Sequence, residues 1–294
     1  MTPFTRACRA LVVFSFSAAS LANVSLFDAV QGPWSDDAYP ADAARAAIEA
    51  GADVEERDAD GATPLLAAIA AYADVEVVQV LLDANADVHV RNESGATPLL
   101  LAAWLGARTD VVQLLVDAGA DVNAVSAGGI TPIMGAARSG WPETIELLLA
   151  AGADPNIVLP NGRTPLLVAA SAGSGETALY RGLLEAGADP RARTEDGRTV
   201  LMWASATVRN PAVVHLLVEA GADVDARDAD GGTALMLAVR ENPSAEVVAA
   251  LLDAGADATL RDDAGRRALD LVPESQGFRQ RPDVIERLES ASGP

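Results

Sequence analysis

Apolar positions along this chain fall into short runs, such as Val77-Val78-Gln79-Val80-Leu81-Leu82, separated by stretches rich in Asp, Gly and Ala. Val111, Leu114 and Leu115, and then Thr144, Leu147 and Leu148, recur at the spacing of one buried helix face. Ahead of the runs stands Thr-Pro, a pair suited to a helix start. The Thr hydroxyl accepts an orphan backbone N–H, and Pro at the first helical position gives up no needed donor. Behind them stands Gly or Asn, suited to the left-handed residue that ends a helix. The predicted unit is therefore a helix, a short turn, a second helix and an extended loop. A pair this short cannot bury its face alone, so stability must come from stacking on neighbours.

The unit repeats. Gly-Ala-Asp, once Asn-Ala-Asp, starts at Gly51, Asn85, Gly119, Gly152, Gly187, Gly221 and Gly255, with spacings of 34, 34, 33, 35, 34 and 34 residues. A second element begins 12 residues later each time: Thr63-Pro64, Thr97-Pro98, Thr131-Pro132, Thr164-Pro165, Thr199-Val200, Thr233-Ala234 and Arg267-Ala268. All variation in length falls on the other side of the unit.

Thr-Pro-Leu opening the first helix and Gly-Ala-Asp-Val closing the second resemble the ankyrin repeat family. The resemblance implies an all-α repeat solenoid in which each unit is a helix-turn-helix followed by an extended, hairpin-like loop. It covers residues 24–290, with six full repeats over 61–264 beginning at Gly61, Gly95, Gly129, Gly162, Gly197 and Gly231. An N-terminal capping repeat is expected over 23–60, from Leu26–Val30 and Ala43–Gly51, interrupted by an insertion at 31–40. That insertion, with Trp34 and Tyr39, reads either as a private contact or as a disordered loop. A C-terminal capping repeat is expected over 265–290, with Leu269, Leu271, Val284, Ile285 and Leu288 as its apolar positions, and 291–294 as a tail. One departure is systematic. The His that the family usually places after Thr-Pro-Leu is replaced by Leu66, Leu100, Met134, Leu167, Met202 and Met236, so apolar packing stands where a polar network is usual.

Composition narrows the function. The chain has 294 residues, 42 Asp and Glu against 21 basic residues, every one of them Arg, and a formal charge of −21. Such a charge repels phosphate and anionic membrane surfaces, and no local basic patch offsets it. Residues 1–22 differ from the rest, with no acid, Arg6 and Arg9, an apolar run from Ala10 to Leu21, and small residues at the exit. This is the order of a secretory signal cleaved after Ala22, since a membrane span needs about 20 apolar residues. The alternatives are an uncleaved anchor or an unstructured start. Cleavage removes the only cysteine, Cys8, and predicts a periplasmic or secreted chain, without thiol chemistry or membrane insertion, of charge −23.

Catalysis and metal binding find little support. His89 and His215 are 126 residues apart, nearly four repeat periods, and read as solvated surface. No nucleophile motif or phosphate-cradling Gly loop is present, and Gly128-Gly129 belongs to a repeat loop. Asp58-Ala59-Asp60-Gly61 and Asp228-Ala229-Asp230-Gly231 resemble half a calcium loop, but the remaining ligands are missing and a helix start follows. The resemblance assigns these Asp residues to folding the turn. Asn23-Val24-Ser25 and Asn92-Glu93-Ser94 match a glycosylation pattern relevant only to a eukaryotic secretory route. No cofactor, metal or catalytic residue is expected.

What remains is surface. The resemblance implies partner binding through the concave face, meaning the loop tips and the exposed side of each first helix. Matching tip positions are Ala59, Asp60, Ala62, Glu93, Ser94, Ala96, Ala127, Ile130, Asn161, Arg163, Glu195, Asp196, Arg198 and Asp230. Matching helix pairs are Ala70-Ala71, Trp104-Leu105, Arg138-Ser139, Ser171-Ala172, Ala206-Thr207 and Arg240-Glu241. Trp104 beside Leu105, with Ile130 and Arg138 one unit on, has the composition of an interface hot spot. Trp141 either extends that patch or staples a helix entry. Trp203 falls where other repeats carry Leu101, Val168 or Leu237 and is expected in the core. Candidate partner-binding residues are Trp104, Leu105, Ile130, Arg138, Trp141, Arg163, Arg198 and Arg240. The expected function is a non-catalytic, monomeric scaffold holding a protein partner of basic character; the alternative is a secreted effector or immunity-type inhibitor that covers an enzyme's active site.

Overall fold

The computed structural model describes residues 25–31, 40–106, 108–242, 244–274 and 282–292. The expected signal at 1–22 and positions 32–39 of the insertion lie outside the described residues. The chain divides into two compact units, 1–128 and 129–294. In the first, the described helices are α1 (Leu26–Gln31), α2 (Pro40–Glu49), α3 (Pro64–Ala70), α4 (Val75–Asp83), α5 (Pro98–Leu105) and α6 (Thr109–Asp117). In the second they are α7 (Pro132–Ser139), α8 (Pro142–Ala150), α9 (Pro165–Ser171), α10 (Thr177–Glu185), α11 (Val200–Thr207), α12 (Pro211–Glu219), α13 (Ala234–Glu241), α14 (Ala245–Asp253) and α15 (Pro282–Ser292), with a 3-10 helix at Leu269–Glu274 before the last.

Within each unit the helices pack as a stack of pairs. First helix meets first helix (α1 on α3, α3 on α5; α7 on α9, α9 on α11, α11 on α13), and second meets second (α2 on α4, α4 on α6; α8 on α10, α10 on α12, α12 on α14). Each unit is thus an all-helical stack of paired helices, as the resemblance implies, with the 3-10 helix and α15 closing the C-terminal end of the second. Leu271, Val284 and Leu288 are buried there, whereas Leu269 and Ile285 are half-exposed.

Local chemistry accounts for the helix ends. Pro64, Pro98, Pro132 and Pro165 begin first helices behind a Thr in extended conformation. The hydroxyls of Thr97, Thr164, Thr199 and Thr233 each accept the backbone N–H three residues on. Thr63 and Thr131 depart from that expectation: their hydroxyl oxygens are buried without a hydrogen-bond partner among the described residues. Second helices run into a left-handed residue, Asn85 at φ 63° and Gly119 at φ 86° among them, as the Gly-Ala-Asp register requires. The inward face of α6 is Val111, Val112 and Leu115, and that of α8 is Thr144, Ile145 and Leu148. Leu114 and Leu147, expected inside, are half-exposed; Val111 and Leu115, and Thr144 and Leu148, face inward as expected, and Val112 and Ile145 complete each face. Leu66, Leu100, Met134, Leu167, Met202 and Met236 are all buried, so the His column is replaced by apolar packing.

The loops are folded by side chains. Asp58 Oδ1 accepts the N–H groups of Asp60 and Ala62 at 3.0 and 2.9 Å, and Asp228 Oδ1 those of Asp230 and Gly232 at 3.1 and 2.7 Å. These aspartates are turn builders, as the repeat register implies. A column of arginines ties successive loops together. Arg57 donates to the carbonyls of Gly61 and Arg91, and Arg91 to those of Gly95 and Val125. In the second unit, Arg193 donates to Gly197 and Arg227, and Arg227 to Arg261. Val125 and Val158 occupy the same column and are 46% and 60% exposed.

Candidate functional site

The densest arrangement of binding-type side chains in the second unit is built by three successive repeats. Arg163 and Arg198 each stand one residue before the Thr that opens a first helix, and Trp203 stands on the first turn of α11. The repeat register brings the two guanidinium groups to one ring, with Arg163 5.6 Å and Arg198 5.1 Å from its centroid. Each cation thus lies within range of the electron-rich indole. Arg198 is further held by Asp196 (3.6 Å), Asp228 (3.9 Å) and Glu241 (3.9 Å), and Glu241 also takes Arg240 at 2.7 Å. The hydroxyl of Thr194 donates to Asp196. That hydrogen bond, aided by the N–H and charge of Arg198, holds the Asp196 carboxyl below its ordinary pKa. Arg163 makes no ion pair among the described residues, and its guanidinium faces the ring alone.

Trp203 was expected in the core. It is half-buried instead, with the guanidinium groups of Arg163 and Arg198 over its ring. Its indole N–H is buried without an acceptor among the described residues. An orphan donor lowers stability, and such departures concentrate where a surface serves something besides packing.

In the first unit, Trp104 and Leu105 are half-exposed at the end of α5. Beside them is Tyr72, which the sequence reading passed over. It is 63% exposed, and its hydroxyl donates to the Leu105 carbonyl at 3.4 Å. Arg108 is paired with Asp110 at 2.7 Å. Its pKa is raised by that hydrogen bond and by the Asp110 charge, with smaller contributions from the charges of Asp74 and Glu76.

Of the remaining candidates, Ile130 is half-exposed, Arg138 is exposed in the last turn of α7, and Trp141 is 47% exposed at the entry of α8. These belong to the second unit, whereas Trp104 and Leu105 belong to the first. Two positions expected at the surface are buried: Ala96 at 5% and Ala206 at 6%, both small enough for the neighbouring backbone to close over. His89 and His215 are exposed. Among the described residues, no group of three His, Cys, Asp or Glu is arranged to hold a metal, and no helix is long and apolar enough to cross a membrane.

Comparison with known proteins agrees with this architecture. The family model "Ankyrin repeats (3 copies)" matches residues 29–126, 109–194, 133–228 and 181–262. No curated protein matches the chain. The crystal structure of the human ASB11 ankyrin repeat domain is similar, with 27% identity and a TM-score of 0.68 over 79% of this chain and 99% of that one. Repeat period, paired-helix stacking and family match converge, and the chain belongs to the ankyrin repeat family.

Proposed function

We propose that this chain is a non-catalytic binding module, exported to the periplasm or beyond, that holds a protein partner against its loop tips and first helices as a monomer. Ankyrin repeats mediate protein–protein interaction, which sets the class of function. The observation that carries the reading here is Trp203 with the guanidinium groups of Arg163 and Arg198 over its ring, since Trp and Arg dominate interface hot spots. A side chain already fixed by its neighbours loses little entropy when a partner docks. The net charge of −21 favours encounter with a basic partner and disfavours acidic ones. Export rests on the charged start, apolar run and small exit residues of 1–22.

The test is a crosslinking capture from the exported fraction of the source cell, with wild type beside Trp203→Leu. Leu is the residue that the second and sixth repeats carry at this position, as Leu101 and Leu237, so the variant keeps the fold. A stoichiometric protein captured by wild type, with affinity reduced by about 2 kcal/mol or more in Trp203→Leu, is expected. Capture unaffected by the variant removes Trp203 from the site. No captured protein removes the binding-module reading in that compartment.

A further inference from the structure

The turn between the two helices of a repeat has a fixed register, nine residues after the Thr that opens the first helix. In three repeats that residue is Gly, with positive φ: Gly106 at 70°, Gly140 at 77° and Gly173 at 75°. In the first repeat it is Tyr72, at φ 55°. A residue with a β-carbon is disfavoured there, and a bulky one especially. The fold has no need of this ring, because Gly closes the same turn in three other repeats. The ring is not buried in exchange for its strain either, being 63% exposed.

Its surroundings are specific. The Tyr72 hydroxyl reaches the Leu105 carbonyl at 3.4 Å, which sets the ring beside the half-exposed end of α5, where Trp104 and Leu105 lie. Asp74 and Glu76 follow Tyr72 at the start of α4, and Asp110 opens α6 one repeat later. Arg108, three residues past Leu105, pairs with Asp110 at 2.7 Å, and Asp74 and Glu76 follow Tyr72 by two and four residues, so the chain sets these carboxylates beside the aromatic residues in the first unit. Three carboxylates against one guanidinium leave that rim negative. The excess extends outward, for residues 23–128 hold 18 Asp and Glu against 4 Arg.

We propose that Tyr72, Trp104 and Leu105, with the rim carboxylates Asp74, Glu76 and Asp110, form a docking surface for a protein segment that presents Lys or Arg beside an apolar anchor. The aromatic and aliphatic groups take the anchor, the ring faces and carboxylates take the cation, and the surrounding negative charge speeds encounter. This assignment rests on the protein-binding reading above and adds a second surface with a stated partner chemistry. It concerns residues separate from Trp203, so its failure is distinguishable from a failure of that site.

The test is a random peptide display selection on the immobilised full chain, with parallel counter-selection on Tyr72→Gly, on Asp74→Asn/Glu76→Gln and on Trp203→Leu. Tyr72→Gly restores the residue used at Gly106, and Asp74 makes no side-chain capping bond, so both variants keep the fold. A melting curve on each confirms it. The expected result is a pool lost at least tenfold on Tyr72→Gly and on the carboxylate variant, retained on Trp203→Leu, and enriched in Lys or Arg next to Leu, Phe or Trp. Titration of its leading peptide should give one site that weakens steeply with salt. No Tyr72-dependent pool, a Tyr72-dependent pool without excess cations, or a pool displaced equally by oligoarginine overturns the proposal. So does concentration-dependent self-association abolished by Tyr72→Gly, which would make a second copy the occupant. A pool dependent on Trp203 alone leaves the binding-module reading standing while this surface fails; a chain that selects nothing takes both down.

Discussion

The first helices of the first and fifth repeats, α3 and α11, are cut to one template and finished differently. Each follows a Thr in extended conformation and buries nearly every side chain of its first turns. At α11 the template is completed. The Thr199 hydroxyl accepts from the Met202 N–H at 3.2 Å, the Met202 sulfur accepts from the Thr199 N–H at 3.4 Å, and two arginines lie over the Trp203 ring. At α3 both ends are left short. The Thr63 hydroxyl is buried without a partner, and the helix runs into the left-handed Tyr72. The same register therefore supports a charge-neutralised, fixed surface around α11 and a strained, negatively rimmed one after α3. Local departures from the best sequence for a fold gather where a surface has another task.

The sharpest way to test the contrast is to remove these arginines one at a time. Arg198 lies over Trp203 and meets three carboxylates, of which Asp228 is 6% exposed, while the Arg198 side chain itself is 22% exposed. Arg198→Ala leaves a buried carboxylate without its cation and is expected to lower the unfolding free energy by about 2 kcal/mol. Arg163→Ala removes only a cation–ring contact and should cost under about 1 kcal/mol. Urea titration of the full chain, followed by circular dichroism, separates the two. Equal losses would mean that the ion pairs around Arg198 contribute nothing.

How far this was readable beforehand differs between fold and surface. The 12-residue step from Gly-Ala-Asp to Thr-Pro places every first helix, because Gly, Thr and Pro each act through their own backbone geometry. The site needs a second dimension, comparison down a column of equivalent positions. Arg163 and Arg198 share one column and stand beside Trp203, and Tyr72 shares another with Gly106, Gly140 and Gly173, so both signals are present in the letters. The column of Trp203 holds Leu101, Val168 and Leu237 and so points to the core, where the last two are buried; Leu101 is half-exposed, as Trp203 is. Whether a Thr hydroxyl reaches its N–H is another matter. Thr63 and Thr97 introduce the same Pro-Leu-Leu, and only the second makes the bond, a difference set by tertiary placement of the helix.

That difference gives the next test. Thr199→Val deletes a made cap and is expected to cost about 1 kcal/mol. Thr63→Val deletes a hydroxyl that is buried and unsatisfied, so its effect should lie within about 0.5 kcal/mol of zero or be stabilising. A loss at Thr63 matching that at Thr199 would erase the distinction drawn at the helix starts. At the other end of α3, Tyr72→Gly relieves the left-handed strain but adds freedom to the unfolded chain. The net expectation is a gain of about 0.5–1 kcal/mol. The reverse change at the equivalent turn, Gly106→Tyr, should destabilise by about 1–2 kcal/mol, and both are read from urea midpoints.

The smallest effect is one expected to be absent. His89 and His215 are the only histidines in the chain and both are exposed, while the column that usually carries His is filled with Leu and Met. The interior thus holds no imidazole to charge, and melting temperature should be flat from about pH 6 to 8. The acid side has the opposite character. Asp196, through the Thr194 hydroxyl, and Asp270, through the N–H and guanidinium of Arg267, have pKa values held below the ordinary carboxylate range in the folded chain. A depressed folded pKa contributes stability that is complete above the unfolded value of about 4 and lost as pH falls through the folded value. Stability should therefore hold from neutrality down to about pH 4 and fall below it, and Asp196→Asn, on the α11 side, should lower the plateau and shallow that fall. A steep change between pH 6 and 8 would show that an imidazole is engaged after all, and the loops bearing His89 and the second helix bearing His215 would be the places to find it.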